Sequence, residues 1–159
     1  MKSKPVGCLL LGLGVVAFFA LCSSLYTIIV VTLASRDGVY PSPEQGMIAL
    51  NEKYYTPDLK IKILYAGTNS FDGSEPHIWF VIAEFRATAH ADGSPLRKNG
   101  CDSGSSFFLQ TRKGWVHMSE GAFPGYVGKW MKILGLAGPG QATPSTNWAP
   151  DQNPHYCMD

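Results

Sequence analysis

The stretch FFLQTRKGWVHMSE, Phe107–Glu120, holds two short runs of strand-forming residues on either side of Lys113-Gly114. Read as a hairpin with Lys113-Gly114 as its two-residue turn, it sets Arg112 opposite Trp115, Gln110 opposite His117 and Leu109 opposite Met118. Side chains alternate along a strand, so Phe107, Leu109, Thr111, Val116 and Met118 share an apolar face. Gln110, Arg112, Trp115 and His117 share the other, which is largely polar. A one-residue slip would mix the two sets, and this fixes the register.

Upstream, His77–His90 (HIWFVIAEFRATAH) is the longest strand candidate. Its centre, Ile78–Ala83, is apolar at every position, as in a strand covered on both faces. Lys60–Ala66 alternates, with Ile61, Ile63 and Tyr65 on one side and Lys60 and Lys62 on the other. Residues 67–76 and 91–105 are rich in Gly, Ser, Asn and Asp and read as loops. Ser42-Pro43-Glu44-Gln45 is a helix start, with Ser42 as N-cap, Pro43 at the first helical position and Gln45 at the third. That helix is predicted to run from Pro43 to about Tyr55. A second begins near Pro124 and spans most of Phe123–Leu136, with Tyr126, Trp130 and Met131 on its apolar side and Lys129 and Lys132 on the other.

The order helix, four strands, helix is that of an α+β domain: a four-stranded antiparallel meander with helices on one face. It is cystatin-like by analogy of fold, which carries no function with it. Three regions follow: 1–35, 36–136, and a tail, 137–159, rich in Gly, Pro, Thr, Ser and Asn.

The first region sets the compartment. Val6–Ala34 is a run of 29 mostly apolar residues without a charge. About 20 such residues suffice to cross a bilayer. A cleaved signal peptide is the rival reading, with Ala20 and Cys22 before the cut, but its apolar core should be only about 7–15 residues long. Lys2 and Lys4 precede the run and Arg36 alone follows it closely, which favours a cytoplasmic N-terminus and an extracytoplasmic domain at the cell membrane. With residues 36–42 as a short tether, loop 67–76 and Lys113 are expected near the headgroups and Cys101 at the far end.

Residues 36–159 carry 11 Lys and Arg against 12 Asp and Glu, a net charge of −1. No basic excess is present to hold a nucleic-acid backbone. Cys101 and Cys157 could form a disulfide in an oxidising compartment, or stand as free thiols in a reducing one. No HxH, HExxH, CxxC, P-loop or GxGxxG spacing occurs, and no metal or cofactor is expected. Asp102-Ser103-Gly104-Ser105 matches the short aspartic-protease signature, but no apolar strand precedes it and no second copy exists, so it reads as a turn. Glu84 and Arg86, two apart on one strand face, read as an ion pair.

Binding candidates are Phe71, on a Gly-bounded loop, and Arg112, Trp115 and His117 on the hairpin's polar face. The segment Tyr65-Ala-Gly-Thr-Asn-Ser-Phe-Asp-Gly-Ser with Pro76-His77-Ile-Trp-Phe-Val resembles one in an uncharacterised family of short bacterial membrane-anchored proteins, over residues 40–136. The resemblance implies a bacterial envelope setting and no known activity. The expected function is a membrane-tethered, non-enzymatic interaction or accessory domain whose partners are the lipid bilayer and an envelope protein. The alternative is a small-ligand binder or hydrolase in the groove between sheet and helices, using Glu84, His117 or Asp102.

Overall fold

A computed structural model describes residues 6–68, 77–96, 101–119 and 123–140, with the side chains of 6–11 excepted. The apolar run and the three residues after it form one helix, α1 (Val6–Asp37). At about 1.5 Å per residue its 32 residues extend about 48 Å. It has two parts. From Gly12 to Cys22 nearly every side chain is exposed all round. From Ser23 onward Ser23, Thr27, Val31 and Ala34, three or four residues apart, form a buried stripe. This second part is docked on the rest of the chain, so α1 both protrudes from the domain and belongs to its core.

Ser42 caps α2 (Pro43–Glu52) as predicted, its hydroxyl accepting from the Gln45 backbone N at 3.2 Å. The helix stops short of Tyr55, and Tyr54 N donates to Asn51 O in a closing turn. The strands β1 (Lys60–Thr68), β2 (Ile78–Arg86), β3 (Cys101–Thr111) and β4 (Gly114–Met118) pair antiparallel in the order β1-β2-β3-β4, the predicted meander. Helix α3 (Pro124–Ile133) follows.

Helices cover both faces of this sheet, not one. Met47 of α2 and Tyr55 pack with Trp79, Val81, Phe85, Phe108 and Trp115 on one side. Val31 and Ala34 of α1 and Val127 and Met131 of α3 pack with Ile78, Leu109, Val116 and Met118 on the other. The physical reason lies in β2, which is apolar on both faces: Trp79, Val81, Ala83 and Phe85 join the first cluster and Ile78 the second, so both sides need cover. The second cover comes from the end of α1, the part that reads by composition as pure membrane anchor.

Three local features differ from the sequence reading. The hairpin closes one residue early: Thr111 pairs with Gly114, and Arg112-Lys113 form the loop. Trp115 therefore faces Gln110, and His117 faces Phe108. This displacement by two pairing positions keeps each side chain on its predicted face. Gly114 is required by crowding: it adopts φ +138°, and a Cβ there would lie 2.8 Å from Tyr40 O. Tyr40 in turn exchanges backbone hydrogen bonds with Trp115 at 2.7 and 2.8 Å, covering part of the β4 edge. A register shift between Ile63 and Tyr65 turns Tyr65 to the face opposite Ile63. Finally, Asp102-Ser103-Gly104-Ser105 is no turn. It lies in β3, paired with Phe85, Glu84, Ala83 and Ile82. Gly104 leaves room for the Phe85 ring, 3.0 Å from where its Cβ would be.

Candidate functional site

Residue by residue, the binding candidates separate. Phe71 lies outside the described residues. Trp115 is only 2% exposed, its ring 5.3 Å from that of Trp79 under α2. His117 is half-buried, with its ring 5.6 Å from Phe108. The face predicted to be polar and open is thus mostly the α2-side core, and Trp115 offers no exposed ring to a partner. Arg112 alone stands at the surface, in the hairpin tip.

Around Arg112 the structure assembles a cleft of about 450 Å³ lined by Val31, Thr32, Ser35, Arg36, Thr111, Lys113, Gly135 and Leu136. Three cations, Arg36, Arg112 and Lys113, line it together, and none of its described lining residues is acidic. Thr111 orders the tip: its hydroxyl donates to Gly114 O at 2.8 Å and accepts from Lys113 N at 3.2 Å. The Arg112 guanidinium lies against Gly135, just past the last turn of α3, where a cation complements the helix dipole. Its cations are of the kind that pair with anions or carboxylates, and among the described residues its lining includes no imidazole or thiol.

Acid–base candidates do not converge. Glu84 is buried, and its Oε1 accepts from Arg86 Nε at 2.8 Å, the expected ion pair. Cys101 Sγ lies 3.5 Å from the same carboxylate oxygen. Asp102 and His117 sit on the opposite side of the sheet from Glu84. Asp102 pairs with Phe85 and His117 with Phe108, so they are separated by the six-residue rise along β3, roughly 20 Å. Asp102 instead accepts from the Tyr55 hydroxyl at 3.4 Å. Burial first, and then the Asp102 charge and hydrogen bond, push the Tyr55 phenol up to about 12. The space between the sheet and α2 is filled by Trp115, Phe108, Met47 and Phe85.

Among the described residues no group of three or more His, Cys, Asp or Glu side chains could hold a metal. His77 is buried, and its Nε2 donates to Gly128 O at 3.1 Å. His90 tilts over the Tyr55 ring at 5.0 Å. Cys101 is the first residue of β3 and buried rather than in a loop; Cys157 lies outside the described residues.

A second cleft escapes the sequence reading. It lies where α1 leaves the domain and is lined by Tyr26, Phe123, Pro124, Gly125, Tyr126 and Lys129, with a volume of about 720 Å³. The only hint in the sequence is Tyr26, a polar-tipped ring inside an apolar run.

The geometry also reverses the expected polarity. α1 residues 31–36 lie beside the hairpin tip, and Ser23 and Tyr26 lie beside Tyr126. The helix has already crossed the sheet before the chain turns through residues 38–42 into α2. Its free end therefore points away from Lys113, not toward it. Comparison with protein-family models, with curated proteins and with solved structures returns no match.

Proposed function

We propose that the chain is a membrane-tethered, non-enzymatic interaction or accessory domain of the bacterial cell envelope. In this reading α1 crosses the cell membrane with its N-terminus cytoplasmic, and residues 36–159 are extracytoplasmic. The observation that carries it is the division of α1. Its N-terminal part is apolar and exposed on every side, which water does not favour and a bilayer does. Among the described residues one helix, near the N-terminus, is long and apolar enough to cross a membrane. The basic cleft at Arg36, Arg112 and Lys113 lies at the opposite end of the domain, suited to an acidic segment of a protein partner. A Cys101–Cys157 disulfide belongs to the same reading, since it requires an oxidising compartment.

One observation favours a second reading, an exported domain cleaved after Cys22. Ser23 is the first docked residue of α1, so that cut would leave the packed half in place. It would also leave Leu25, Ile28, Ile29 and Leu33 exposed to water. The intact mass of the protein extracted from membranes decides between them. Full length with resistance to salt and alkaline washing supports the anchor; a mass beginning at Ser23 overturns it. In the anchored case, Arg112→Glu with Lys113→Glu should abolish a stoichiometric cross-linked partner without releasing the chain from the membrane.

A further inference from the structure

The cleft between α1 and the start of α3 sits at a calculable height. Val6–Tyr26 is 21 residues, about 31 Å of helix, against a hydrocarbon core of roughly 30 Å. With Val6 at one boundary of the core, Tyr26 reaches the other. There its ring lies 6.2 Å from that of Tyr126, and the Tyr126 hydroxyl donates to Ser23 Oγ, which itself donates to Phe19 O at 2.7 Å. Phe123, 72% exposed, stands beside them, and Lys129 lies three residues beyond Tyr126 on the same side of α3. Aromatic rings with polar tips favour the headgroup level of a bilayer. A lysine there lays its stem on apolar surface and lifts its charge toward the phosphates.

We propose that this cleft is the domain's seat on the bilayer and takes an anionic phospholipid. The upper acyl chain lies against Tyr26, Phe123 and Tyr126, and the headgroup phosphate meets Lys129. The occupant is lipid because the cleft is continuous with the exposed apolar surface of α1 and falls at the membrane boundary. Among the described residues none of its lining is acidic. The inference rests on the anchor reading, and its test separates the two.

The full chain in nanodiscs of phosphatidylcholine and phosphatidylglycerol would carry a benzoylphenylalanine crosslinker in place of Val16, Phe123 or Lys113, each exposed. Intact mass reads the adducts. Lipid adducts are expected at 16 and 123 and not at 113. An adduct at 16 without one at 123 overturns the seat and leaves the anchor standing. No adduct at 16 overturns both. A crosslink from 123 to a second copy of the chain also overturns it. Lys129→Gln should lower the phosphatidylglycerol share of the adduct at 123 about fivefold, the weight of one cation near an anionic surface. An unchanged share refutes the anionic preference.

Discussion

Replacing Thr27 by valine should stabilise the domain. Thr27 is fully buried on the docked stripe of α1, and its Oγ1 has no hydrogen-bond partner. The other hydroxyls of this helix differ. Ser23, Ser24 and Ser35 each donate to the carbonyl four residues back, at 2.7, 2.8 and 2.7 Å. Valine has the same shape, is also β-branched and has nearly the same helix propensity, so little changes except the hydroxyl. A buried unsatisfied polar group costs about 1–3 kcal/mol, and its replacement should return about 1–2 kcal/mol of that. For a domain of this size such a gain raises Tm by about 5–10 °C. Near-ultraviolet circular dichroism of the full chain in detergent follows the buried Trp79–Trp115 pair through the melt. Thr32→Val, on the exposed side, is the control and should stay within about 0.5 kcal/mol. Slower amide exchange from Thr27 to Ala34 should accompany the rise in Tm. If Thr27→Val leaves Tm unchanged or lowers it, α1 is not docked as described, or the hydroxyl has a partner in solution.

Three further outcomes follow from the packing and the titrations. Gly46→Ala should cost about 1–3 kcal/mol in a denaturant titration, because a Cβ there collides with the Phe108 ring and lies 3.0 Å from Tyr40 Cδ2. The folded state holds the Tyr55 proton to about pH 12 while the unfolded chain releases it near 10, so stability is intact below pH 10 and falls between those values. Tyr55→Phe should remove that part of the alkaline loss, seen as a flatter Tm profile above pH 10. Non-reducing peptide mapping of protein from the envelope should join Cys101 to Cys157, closing a 57-residue loop worth about 4 kcal/mol; separate thiol peptides refute the bridge.

The sequence displayed the sheet well because periodicity decides it. Strand order, the faces of the hairpin, the Ser42 cap and the Pro124 start all follow from alternation and end signals. It hid β3's first half because Asp102-Ser103-Gly104-Ser105 has turn composition. Those residues are held extended by pairing with β2, and Gly104 is there for the Phe85 ring. It hid the second layer because a stripe such as Ser23, Thr27, Val31 and Ala34 has no contrast inside a run apolar on all sides. Of the candidate site, Arg112 was legible and its cleft was not, since Arg36 and Gly135 reach it from distant parts of the chain.

That hidden layer changes what an anchor can do. A flexible tether of seven residues would let the domain tumble above the bilayer, presenting any surface to a partner. Here the chain from Val6 to Asp37 is one helix, and near its end Val31 and Ala34 share a core with β4 and α3. If α1 spans a bilayer as proposed, tilting the domain against the membrane means tilting α1 or undocking Val31 and Ala34. Undocking would remove part of the cover over Leu109, Val116, Val127 and Met131, four fully buried side chains of the same cluster, each worth about 1.5–3 kcal/mol when fully exposed. In the proposed anchored state the domain would therefore be carried at a fixed angle, with the Tyr26–Tyr126 end held toward the lipid. The Arg36, Arg112 and Lys113 cluster is held toward whatever lies beyond it.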